Sequence, residues 1–124
     1  MITGLDHANI YTADLPATRG FYVDILGLEE GFRPKVSVPG LWLYSGPNPI
    51  LHVVEASEAR TPKGAIDHIS FAVVDFDAVL GRLDEAGVAY RAIDIPDDLG
   101  RQAFVKDPNG VTIELTWRRA AHGL

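Results

Sequence analysis

The sequence predicts an α+β chain built from two tandem βαβββ modules, and three observations lead to that class. The length of 124 residues fits a single domain. Leu5-Asp6-His7 returns as Ile66-Asp67-His68, and the same offset of 61 residues pairs Asp14 with Asp75, Ala17 with Ala78 and Gly20 with Gly81. Each half then reads in one order: a short β-rich run, a helical stretch, and three more β-rich runs.

The opening runs, Leu5 to Thr12 and Ile66 to Val74, are each followed by an aspartate suited to accept from the free N–H groups of a helix start. The first helix is expected over about Leu15 to Leu26, with Pro16 in its first turn and Gly27 just past its end. The second is expected over about Phe76 to Ala86 and stops at Gly87. Strands follow near Leu28 to Arg33, Leu41 to Ser45 and Ile50 to Glu55 in the first half. Their counterparts are near Val88 to Ile93, Gln102 to Lys106 and Val111 to Trp117. Asp107-Pro108-Asn109-Gly110 has the composition of a tight turn. The polar stretch Ala56 to Gly64 links module one, about residues 4–56, to module two, about residues 65–118, within one domain over 1–124. From Arg118 onward no period is visible, so the tail, His122 included, is expected to fray.

Composition narrows the function classes. With no cysteine, disulfides, thiolate metal sites and a cysteine nucleophile are excluded. Eleven basic against seventeen acidic side chains leave a net charge of −6, which repels a phosphate backbone and argues against a nucleic-acid partner. The N-terminal residues have no basic segment followed by an apolar run, and no stretch is apolar for long enough to cross a bilayer; a soluble, cytoplasmic protein with no membrane partner is expected.

Period-two alternation assigns faces to the strands. Ile69, Phe71 and Val73 point one way and His68, Ser70 and Ala72 the other. In the last run Val111, Ile113, Leu115 and Trp117 oppose Thr112, Glu114 and Thr116. The apolar faces suit packing under the helices, which directs His68 and Glu114 to the opposite side. His7 shares its face with Asn9 and Tyr11, and His52 shares its face with the apolar Ile50 and Val54. His52 and Glu114 stand 62 residues apart, each in an apolar run behind a Pro-Asn turn. A single histidine on a strand is ordinarily a hydrogen-bonded structural residue. Four such groups buried without partners would cost about 1–3 kcal/mol each, against a total stability of about 5–15 kcal/mol. Either an ion or a water-filled cavity must therefore satisfy them, and imidazole with carboxylate suits a divalent first-row metal. Trp42 and Tyr44 alternate with Leu41 and Leu43, and Phe104 with Ala103 and Val105, so these aromatics form a candidate wall beside the site, with core packing as the competing reading. Arg101 near the rim is a candidate for a substrate carboxylate, or simply a solvated surface side chain.

The segments LDHANIYTADLPATRGFYVDILGL, ILHVVE, DHISFAV and DPNGVTIEL resemble the vicinal oxygen chelate superfamily over almost the whole chain. That superfamily embraces glyoxalase I, methylmalonyl-CoA epimerase, fosfomycin-resistance transferases, extradiol dioxygenases and metal-free bleomycin-resistance proteins. The resemblance implies a glyoxalase-like fold, a half-open eight-stranded barrel, and a homodimer whose modules are often exchanged between chains. It implies metal ligands from the first and fourth strands of each half, here His7, His52, His68 and Glu114, around one divalent ion of Zn, Ni, Co, Mn or Fe(II). The implied chemistry is chelation of vicinal oxygens on a small-molecule substrate and stabilisation of an enediolate or oxyanion, with Glu114 as the candidate base and His52 as the second candidate.

Departures from the known patterns limit the subclass. Glyoxalase I is expected to carry Arg and Asn four residues after its first two ligands, where this sequence has Tyr11 and Ala56. The epimerase is expected to have Gln, and the fosfomycin transferases no protein ligand, at the place of His52. The expectation is thus a metal-dependent lyase or isomerase. A metal-free drug-binding protein of the bleomycin-resistance type is the alternative, and a small extradiol dioxygenase the third reading.

Overall fold

A computed structural model of the chain describes residues 1, 4–58, 66 and 68–119, and they divide into two compact units, Met1–Arg60 and Thr61–Leu124. In the first, β1 (Ala8–Thr12) lies parallel to β4 (Asn48–Glu55), which pairs antiparallel with β3 (Gly40–Ser45), which in turn pairs with the short β2 (Glu29–Gly31). In the second, β5 (Ile69–Ala72), β8 (Thr112–Arg118), β7 (Gly100–Lys106) and β6 (Tyr90–Ile95) stand in the same order with the same senses. The βαβββ order expected for each half is the order observed, and the α+β class holds.

Both helices begin as the repeat requires. Asp14 accepts from the Ala17 N–H at 3.0 Å and Asp75 from the Ala78 N–H at 3.0 Å, each satisfying one of the unpaired donors of a helix start. Helix α2 (Phe76–Glu85) ends beside Gly87, which takes a φ of +68° that a side chain would resist. Helix α1 (Leu15–Arg19) is shorter than expected, because from Gly20 to Ile25 the backbone widens into a π-helical turn with the Leu26 N–H donating to the Phe21 carbonyl at 3.0 Å. The wider turn buries the adjacent Phe21 and Tyr22 together, edge to face with centroids 5.0 Å apart.

The core of each unit lies between sheet and helix. Ile10, Leu43, Leu51 and Val53 are buried with Phe21 and Tyr22 in the first unit, and Ala103, Val105, Ile113 and Leu115 with Phe76 and Leu83 in the second. Each large apolar side chain stabilises the fold by about 1.5–3 kcal/mol. In the first unit a buried pair of hydroxyls, Thr12 and Thr18, joins β1 to α1 at 2.9 Å. This packing fixes the phase of β1, β4 and β8, and so decides which side chains stand on the opposite face.

The chain is ordered somewhat past the point where its period fades. Strand β8 includes Arg118, and Arg119 is held by its N–H to the Leu99 carbonyl at 3.0 Å and by its guanidinium to Asp98 at 2.7 Å. Arg118 and Arg119 are therefore paired and not frayed, since an edge of β7 and a carboxylate await them; the rest of the tail, residues 120–124 with His122, and residues 59–65 and 67 lie outside the described residues. Among the described residues no helix is long and apolar enough to cross a membrane.

Candidate functional site

The two units present matching faces. In the first, register sets Trp42 opposite His52 and His52 opposite Asn9. In the second, it sets Phe104 opposite Glu114 and Glu114 opposite Ser70. Since Leu51 and Val53 are committed to the helix side, His52 must face away from it, and Ile113 and Leu115 dictate the same for Glu114. His7 and His68 precede the first paired residues of β1 and β5.

In the first unit three rings form one stack. The His52 ring lies 3.9 Å from Trp42 at 10° and 3.7 Å from His7 at 13°. His7 Nδ1 is 2.8 Å from the Asp6 carboxylate, which fixes that nitrogen as the donor and leaves Nε2 as the atom able to give a lone pair. His52 is bound through its ring to the backbone of Pro49, while its Nε2 is buried with no partner. Burial, the neighbouring His7 and the backbone bond act on this ring together. Burial and His7, with Arg33 adding to them, outweigh the Pro49 bond and the Asp6 charge and push the His52 pKa below 6.5, so the imidazole is neutral at pH 7.

In the second unit Glu114 is 7% exposed. Its Oε2 accepts from the Ser70 hydroxyl at 2.7 Å and the Thr116 hydroxyl at 2.6 Å, and its Oε1 stands 3.6 Å from His68 Nε2. Burial alone would raise this carboxyl, but the Thr116 and Ser70 hydroxyls, with His68 and Arg118, more than offset it and hold the pKa below 4.5. Glu114 is therefore ionised at neutral pH, with one oxygen fixed and the other turned to His68. Ser70 and Thr116 have no separate signature in the sequence beyond sharing the Glu114 face by alternation; their role follows from the cross-strand register.

Of the other candidates, Phe104 stands edge-on to His68 with centroids 6.3 Å apart, and Trp42 stacks on His52 as described. Tyr11, opposite Val54, lies on the His52 face and is 41% exposed. Tyr44 shares the Trp42 face, but it covers Gly31 and donates its hydroxyl to the Phe32 carbonyl at 2.6 Å. Arg101 does not join these residues. It pairs opposite Trp117, on the helix side of the sheet, 2.9 Å from Asp77 and 3.4 Å from Asp94, with its guanidinium 4.4 Å from the Phe76 ring centre. It therefore stands apart from the face that carries His68 and Glu114.

Among the described residues no three His, Asp or Glu side chains group closely enough to hold a metal ion. Within each unit, taken by itself, the donors are of the kind a divalent first-row ion accepts. One buried imidazole nitrogen lacks a partner, a second imidazole is oriented through its other nitrogen by a carboxylate, and an ionised carboxylate offers an oxygen beside a third imidazole.

A sequence profile of the Glyoxalase/Bleomycin resistance protein/Dioxygenase superfamily matches residues 4–115. The chain belongs to that superfamily. Solved structures of the superfamily carry the same glyoxalase-like fold. A glyoxylase/bleomycin resistance protein/dioxygenase domain from Frankia sp. EAN1pec is similar at 22% identity and a TM-score of 0.78, covering 98% of this chain and 96% of its own. The fosfomycin resistance protein FosX from Listeria monocytogenes is similar at 20% identity and a TM-score of 0.75, with 100% of both chains covered. Lactoylglutathione lyase from Agrobacterium tumefaciens is similar at 19% identity and a TM-score of 0.70, with 94% of both covered. At these identities the likeness is one of fold. No curated protein matches the sequence.

Proposed function

We propose that this superfamily member is a metal-dependent lyase or isomerase that chelates two vicinal oxygens of a small metabolite, with His7, His52, His68 and Glu114 as its ligand set. The observation that carries the reading is the buried, unpartnered Nε2 of His52, a lone pair desolvated at a cost that a bound ion would recover. A bound divalent ion of Zn, Ni, Co, Mn or Fe(II) would supply Lewis-acid stabilisation of the negative charge that develops on the substrate oxygens. The protein's part is then positional and protolytic. Asp6 and the Pro49 backbone hold the His7 and His52 rings with Nε2 forward. Ser70 and Thr116 anchor one oxygen of Glu114, so that the other can take a proton from the substrate carbon and return it at the neighbouring carbon. His52 is the alternative base.

Module pairing into half-open barrels, in a cytoplasmic homodimer that exchanges modules, is part of the same proposal, because each unit by itself holds only half of the ligand set. Turnover of 2-oxoaldehyde thiol adducts, acyl thioesters and catechols in the presence of each metal tests it. Isomerisation or lysis is expected, with Glu114→Gln losing turnover by about 10² to 10⁴ while substrate binding persists. An unchanged turnover number in that variant removes Glu114 as the base, and drug binding without turnover by any metal form replaces the enzyme with a sequestering protein.

A further inference from the structure

The face of the second unit that carries His68 and Glu114 continues past them. Register places Ser70, Glu114, Phe104 and Arg91 in one row across β5, β8, β7 and β6, and Thr112 with Lys106 in the row next to it, on the side of His68. There the surface forms a groove of about 500 Å³ whose walls include His68, Arg91, Phe104, Lys106 and Thr112. The Arg91 guanidinium lies 4.9 Å from the Phe104 ring centre, which steadies its plane, and the Lys106 ammonium donates to the Thr112 hydroxyl.

Neither cation has a carboxylate within ion-pair distance among the described residues, whereas Arg19, Arg101 and Arg119 are each paired with one. In a chain of net charge −6, two unneutralised cations on one groove beside an anionic Glu114 are a local reversal of sign. An aromatic wall under a guanidinium, with an ammonium beside it, suits a planar anionic group attached to a short carbon chain.

We propose that this groove holds a carboxylate of the substrate, Arg91 offering paired N–H donors and Lys106 a point charge. The substrate is then a small acid with vicinal oxygens at one end and a carboxylate at the other. Arg91 is two strands from Glu114, about 10 Å between Cα atoms at ordinary strand spacing, so the two ends stand a few bonds apart. The vicinal oxygens rest on the function proposed above; the carboxylate grip does not.

Calorimetric or NMR titration of the purified full chain with glutarate, 2-oxoglutarate, pyruvate and inorganic phosphate tests this, with Arg91→Gln and Lys106→Gln compared and metal content measured on every sample. Wild type is expected to bind 2-oxoglutarate at least about tenfold more tightly than pyruvate, and each variant to lose about ten- to hundredfold for glutarate and 2-oxoglutarate while its pyruvate affinity and metal content stay unchanged. Glutarate binding that the variants abolish, with no gain from the 2-oxo group, supports the groove and defeats the chelation reading. No glutarate binding, or binding that both variants retain, overturns the groove. Phosphate bound more tightly than glutarate in a variant-sensitive way overturns the carboxylate assignment in favour of a phosphoryl group.

Discussion

Replacing Ser70 with Ala isolates the support given to Glu114. The Glu114 side chain is almost wholly buried, and its Oε2 has two hydroxyl donors, Ser70 at 2.7 Å and Thr116 at 2.6 Å, which also touch each other at 2.9 Å. A hydrogen bond to a buried charge contributes about 1.5–3 kcal/mol, so Ser70→Ala should lower stability by that amount at pH 7 in chelator-treated protein. Thr116 remains, which favours the lower half of the range. The pH dependence carries the diagnosis. Glu114 is held below 4.5, so the folded state binds its proton less readily than the unfolded chain does, and the stabilisation is complete above that value. It is lost as pH falls from 4.5 through the depressed pKa, and the gap between wild type and variant should close over the same range. Urea unfolding of wild type, Ser70→Ala, Glu114→Gln and the double variant gives the coupling between the two side chains, expected at about 1–2 kcal/mol at pH 7 and smaller in acid. A coupling near zero at pH 7, or one that grows as pH falls, would refute the charge-assisted account.

Three further outcomes follow from the same geometry. In an NMR titration of chelator-treated protein the His52 ring should titrate with its midpoint below pH 6.5, because burial and His7 oppose its charge; stability attached to that ring is then lost as pH falls through 6.5 towards that midpoint, and a midpoint above 6.5 contradicts it. Trp42→Ala should weaken divalent-metal affinity by about three- to tenfold through loss of the stack that sets the His52 ring, with Trp42→Phe largely restoring it; equal affinities in all three proteins would reject a positioning role. Gly40→Ala should cost about 1–3 kcal/mol in urea unfolding, since an added Cβ would overlap the Val53 carbonyl on the neighbouring strand, and a change below 0.5 kcal/mol would show that β3 and β4 can part without penalty.

Much of this was legible in the sequence because a duplication prints the main elements and their caps twice. Asp14 and Asp75 both cap helices, and Gly27 and Gly87, outside the stretch where the offset was counted, both close them with positive φ. The apolar phase of β8 was strong enough to put Glu114 on the open face, whereas Ile50 and Val54 on the His52 side blurred the phase of β4 until Leu51 and Val53 were seen to be buried. The π-helical turn was not legible, since Phe21 and Tyr22 fit an α-helical apolar stripe equally well and only packing shows that both rings are buried. Arg101 was within reach: it falls in phase with Ala103 and Val105, and period two already sends it to the helix side, where Asp77 waits on an element far away in sequence. Arg91 could not be associated with Glu114 before the register of β6 on β7 was known, because nothing local distinguishes it from any exposed arginine.

Metal content per chain, measured on protein purified without added metal and on His7→Ala, His52→Ala and His68→Ala prepared alongside, decides whether these histidines hold an ion. One divalent ion per chain in the wild type, with near-complete loss on changing a histidine from either unit, is the predicted result, because the proposed ligand set draws on both units and two ligands hold an ion far more weakly than four. Full stoichiometry retained in His68→Ala, or no metal in any of the four proteins, would contradict it.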